Sequence, residues 1–106
     1  IFNSHVKIKN NLVGSGKTTF IVAEAGLNHN GSFDIAKTLI DNAKKINCNA
    51  IKFQSFLSNS RVSKFIKSEK YAEKIIGTQE SISELFNRLS LSFKIQRKIF
   101  NYCFCY

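Results

Sequence analysis

The chain has 106 residues, enough for one modest domain and too few for several. Its 16 basic residues against 7 acidic ones give a formal net charge of +9. The excess is Lys scattered among abundant Ile, Asn and Phe with no binding motif beside it, so nucleic acid is not the expected ligand.

Three cysteines, an odd number, exclude a disulfide framework. Cys48, Cys103 and Cys105 read as structural residues, because a C-x-C pair without a second pair does not make a zinc site. No stretch is long enough to span a bilayer, and the polar start (Asn3, Ser4, His5, Lys7, Lys9) is not a signal peptide. A reducing cytoplasm is the expected compartment.

In chain order, residues 6–19 read as a small hairpin. Val6-Lys7-Ile8-Lys9 alternates, Asn10-Asn11 suits a turn, and Gly14-Ser15-Gly16 breaks the chain before the next strand. Phe20 to Ala25 is a mostly apolar run that suits a strand covered on both sides, with Phe20, Val22 and Glu24 on one face and Ile21, Ala23 and Ala25 on the other. Ser32 caps a helix running to about Ile46. Asp34 sits in the first turn and Lys44 and Lys45 in the last, each on the side the helix dipole favours. Ile35, Ala36, Leu39, Ile40 and Ala43 make its buried stripe, and Asn47 is a left-handed stop. A second strand, 50–56, follows within a normal connection.

Residues 57–77 read as a long loop with a helical turn near 68–75. Ser81-Ile82-Ser83-Glu84 fits a capping box, opening a helix whose face is Ile82, Leu85, Phe86 and Leu89. Ser92 opens a last helix with Ile95, Ile99, Phe100 and Cys103 inward. The whole is α/β, one domain over 1–106: a hairpin, then two strand–helix units over 20–106.

Gly14-Ser15-Gly16-Lys17-Thr18 imitates the end of a phosphate-binding loop. Position 11 is Asn where that motif needs Gly, and the segment opens a strand where a P-loop opens a helix. It reads as a glycine turn with an exposed Lys.

Three residues stand out for chemistry. Glu24 lies in an apolar run with no cation nearby in sequence, and a carboxylate is costly to bury without a use. Function is preferred to the alternatives, a solvated strand end or a pairing with a remote Lys. Lys52 and Gln54 share a face of the second strand, away from Ile51 and Phe53. The Lys suits a phosphate or carboxylate and the Gln sugar hydroxyls; a solvated edge strand explains them equally well. Asn28 and His29, in the turn before the first helix, are possible loop contacts. His29 at that position orients a neighbour, binds a metal or simply packs.

The string Ala23-Glu24-Ala25-Gly26-Leu27-Asn28-His29-Asn30-Gly31, followed after one helix by Lys52-Phe53-Gln54, resembles the N-terminal part of the sialic acid synthase family. That family includes the N-acetylneuraminate, legionaminate and pseudaminate synthases. The resemblance implies a (β/α)8 barrel, of which this chain would supply the first two strand–helix units of a fold needing about 250 residues. It implies condensation of phosphoenolpyruvate with an N-acetylated hexosamine such as N-acetylmannosamine. The alkene carbon attacks the open-chain aldehyde, water adds, and phosphate leaves by C–O cleavage. It also implies a divalent metal, manganese or magnesium, whose ligands are not expected in this chain, and a homodimer.

By the same resemblance, Glu24 matches the active-site acid, Lys52 a contact to phosphoenolpyruvate and Gln54 a sugar contact. The chain departs from the family pattern at Gly77-Thr78-Gln79, where some relatives carry a sugar-binding Asn, and at its final Cys-Phe-Cys-Tyr. It is expected to be a fragment, with an inactive truncated product as the alternative.

Overall fold

The computed structural model describes residues 4–57, 60 and 82–105. The expected loop with a helical turn near 68–75, the Gly77-Thr78-Gln79 departure and Ser81 of the capping box lie outside them.

Strands β1 (His5–Ile8) and β2 (Asn11–Gly14) form an antiparallel hairpin in which Ile8 faces Asn11 and His5 faces Gly14. The turn is Lys9-Asn10, one residue earlier than expected. Lys9 takes the left-handed conformation (φ 53°), leaving Asn11 free to begin β2. Residues 15–21 then belong to no strand, so the hairpin is shorter than 6–19.

β3 (Val22–Gly26) and β4 (Ala50–Phe53) pair in parallel, with α1 (Phe33–Lys45) between them in sequence. β3 begins two residues later than its apolar run. Ahead of the ladder, Ile21 is held by Asn49 instead: its N–H donates to the Asn49 side-chain oxygen (2.8 Å) and its carbonyl accepts from the Asn49 N–H (2.9 Å).

The ends of α1 form as the local sequence dictates. The Ser32 hydroxyl accepts from the Ile35 N–H (3.3 Å), with Asp34 in the first turn and Lys44 and Lys45 in the last. At the far end Asn47 (φ 59°) donates to the Lys44 carbonyl and Cys48 to that of Ala43, both at 2.9 Å. This is the paired-bond Schellman stop, with Asn in the place Gly usually takes. Helices α2 (Ile82–Leu89) and α3 (Phe93–Phe104) follow, and Ser92 caps α3 by accepting from the Ile95 N–H (3.4 Å).

The core lies between α1, α3 and one face of the parallel pair. Ala36 and Ile40 meet Leu91 and Ile99, with Ile51, Phe53 and Ile95 packed around them. Two of the residues expected to face inward are exposed instead. Ile35 is exposed at the edge of the α1 stripe, and Phe100 lies on the outer side of α3, its ring stacked on Phe104. Their places are taken by Phe33 and Tyr102, whose hydroxyl donates to Asp41 (2.8 Å). Cys105 is likewise exposed, while Cys48 and Cys103 are half-buried; all three are free thiols.

The other face of the pair is open, with Val22 about half exposed, so β3 is covered on one side rather than both. That uncovered face carries Glu24 and Lys52.

Candidate functional site

Side chains alternate along a strand, so Ala25, Ile51 and Phe53 turn toward the helices while Glu24 and Lys52 turn away from them. The parallel register sets Glu24 directly beside Lys52. Lys52 Nζ donates to Glu24 Oε2 at 2.8 Å. Glu24 therefore has a cation after all, from the neighbouring strand, and the same two residues that stood out separately in the sequence hold one another. Nor is the carboxylate buried: the side chains keep 58% and 52% of their surface for Lys52 and Glu24. A pair this open contributes at most about 1 kcal/mol to stability.

Just past the pair the ladder is interrupted. Glu24 faces Lys52, but Gly26 faces Phe53, so Ala25 is an extra residue in β3. The bulge lets the Gln54 N–H donate to the Gly26 carbonyl (3.3 Å) and draws the end of β4 toward Gly26. Gly26 adopts φ 53°. A Cβ there would stand 3.2 Å from Glu24 Oε1 and 3.8 Å from Gln54 Nε2. The carboxylate and the amide thus flank the same small space, which glycine keeps open. Near the C-terminal ends of the two strands Glu24 thus pairs with Lys52 through Oε2 and, through Oε1, borders the space that Gln54 also borders from just past β4.

His29 is in a different setting. It is fully buried, its ring 6.0 Å from that of Phe53. The Gly31 N–H donates to Nδ1 (3.0 Å), which leaves the proton on Nε2, and Nε2 has no partner among the described residues. His29 thus packs behind the pair and ties down its own turn; Asn28 donates its backbone N–H to the Ala25 carbonyl (2.9 Å). Burial pushes the imidazole below its ordinary value of 6.5. Since the neutral form is the folded one, its stabilising effect is complete above that ordinary value and is lost as pH falls through the lower folded one. Protonation would also take Nδ1 from Gly31. We expect the His29 ring resonances to titrate below 6.5, with the melting temperature falling over the same range; a ring midpoint at or above 6.5 would contradict this.

Gln96 was not legible as a site residue. Its Oε1 accepts from the Ser55 hydroxyl (2.6 Å) and its Nε2 donates to the Leu91 carbonyl (2.7 Å), tying the segment beyond Gln54 to the start of α3. The signal available was a polar residue beside Ile95 on an otherwise apolar helix face. A groove of about 940 Å³ runs between this segment and α3, lined by Phe53, Gln54, Ser55, Leu91, Arg97 and others, but Glu24 and Lys52 do not line it. Among the described residues no three His, Cys, Asp or Glu side chains cluster in a way that could hold a metal ion. Nor is any helix among them long and apolar enough to cross a membrane.

The NeuB family profile matches residues 39–105, well over half of the chain. An uncharacterized protein of Methanocaldococcus jannaschii is 47% identical over 87 residues, 82% of this chain and 22% of the relative. The N,N'-diacetyllegionaminic acid synthase of Legionella pneumophila is 38% identical over 79 residues, 74% of this chain and 22% of the enzyme. Among solved structures, the N-acetylneuraminic acid synthetase of Leptospira borgpetersenii superposes with a TM-score of 0.69 at 27% identity, over 93% of this chain and 30% of that one. The chain spans about a fifth of the length of the curated relatives it matches.

Proposed function

The chain belongs to the NeuB family, and on that premise we propose that it supplies the first part of a (β/α)8 barrel that condenses phosphoenolpyruvate with an N-acetylated hexosamine and releases phosphate. One observation carries the reading. Glu24 and Lys52 pair across adjacent parallel strands, and Gln54 borders the space over Gly26 just past the second strand, all at the C-terminal ends, where barrel enzymes keep their sites. Lys52 is the contact for the phosphate or carboxylate of phosphoenolpyruvate. Glu24 moves a proton at the sugar aldehyde or the attacking water, and Gln54 holds a sugar hydroxyl. Asn28 and His29 shape the loop behind them.

The divalent metal takes its ligands from elsewhere in such a protein, and the working unit is a cytoplasmic homodimer. The 106-residue chain is inactive by itself, because the two parallel strands among the described residues, open on one face, do not enclose a substrate. The test is phosphate release from phosphoenolpyruvate by a protein carrying this segment within a whole barrel, given N-acetylmannosamine or its 2,4-diacetamido analogues. Release that depends on one of these sugars is expected. Sugar-independent release, or none with any of them, would end the proposal.

A further inference from the structure

We propose that Lys52 exchanges Glu24 for an incoming phosphate-bearing anion, so that anion binding is the event that frees the Glu24 carboxylate. The inference rests on the reading of Lys52 as the anion contact and adds an order to it, anion before sugar.

In the structure Lys52 Nζ spends a hydrogen bond on Glu24 Oε2 at 2.8 Å, so the cation assigned to the substrate is already engaged. Both side chains are more than half exposed, which leaves the pair weak and open to a competitor. Lysine is a point charge on a flexible stem with three donors, able to follow a new partner without moving its strand. Once a phosphate sits on Nζ, one positive charge faces two anions at contact distance, and like charges side by side repel. The weaker anion is the one displaced.

Glu24 has somewhere to go. Its Oε1 already borders the space over Gly26, which Gln54 Nε2 borders as well. Gln54 is the residue assigned to the sugar. The ion pair thus keeps the carboxylate occupied until the anion arrives, then leaves it beside the second substrate. No bond is made or broken in the exchange; a cation changes partner.

The test uses inorganic phosphate as the probe, titrated into the 106-residue chain at low salt and followed by amide and Lys side-chain nitrogen resonances. Glu24→Gln keeps the shape and removes the competing charge, so it is expected to bind phosphate about two- to five-fold more tightly than the unaltered chain. Glu24→Ala is expected to move affinity the same way, and Lys52→Gln to abolish saturable binding. The gain should shrink as salt screens the pair. Unchanged or weaker binding in both Glu24 variants, with Lys52→Gln still silent, overturns the exchange and leaves the anion contact standing. Phosphate binding indifferent to Lys52→Gln overturns both.

Discussion

Alanine at position 31 is expected to destabilise the chain by about 2–4 kcal/mol, the sum of a left-handed backbone penalty and a steric one. Gly31 adopts φ 75°, and a Cβ on it would stand 2.5 Å from the Arg88 carbonyl oxygen and 3.9 Å from that of Ser90. Those atoms are backbone at the end of α2, so no side-chain rotation relieves the clash. Either the turn before α1 or the end of α2 must move. The turn is also where the Gly31 N–H reaches buried His29, so a shift there strips the imidazole of its hydrogen bond.

Gly16→Ala is the matched control. Gly16 has nearly the same backbone (φ 70°), yet nothing lies within 4 Å of its Cβ position, so only the backbone penalty of about 1–2 kcal/mol is expected. Urea denaturation of both variants separates the two contributions. Equal losses at the two positions would show that the Arg88 contact is not a constraint.

Glu24→Gln, placed in a whole barrel that carries this segment, is expected to lower turnover by about 10²- to 10⁴-fold, the range for losing a positioned proton-transfer group. Stability should barely change, because the side chain is half exposed and its ion pair is open to water. The Michaelis constant for phosphoenolpyruvate is expected to stay level or fall, since the variant no longer competes for Lys52. That pattern, slow turnover without weakened anion binding, distinguishes a proton-handling carboxylate from one that merely holds a lysine in place. Phosphate release within tenfold of the unaltered protein would remove Glu24 from the chemistry.

Much of the fold was legible because its signals are local. Ser32, Ser92 and Asn47 act on backbone groups within a few residues of themselves, and each does what its position in the sequence indicates. The errors fall where a residue's fate depends on what packs against it. Ile35 and Phe100 fit a helical stripe by spacing, but each stands at its margin, and only the angle at which α1 and α3 meet the sheet decides which margin is covered. For Glu24, the absence of a nearby cation in sequence said nothing of the strand beside it.

The alternation of apolar and polar positions and the helix caps, each written within one turn or one strand, determined by themselves that a strand, a helix and a second strand follow one another with Glu24, Lys52 and Gln54 near the strand ends. Only the tertiary structure decided that Glu24 lies level with Lys52, that Ala25 bulges to bring Gln54 toward Gly26, and that the turn at Gly31 rests on Arg88. Register and close approach are properties of two distant segments in contact, and neither segment alone contains the free-energy difference that selects them.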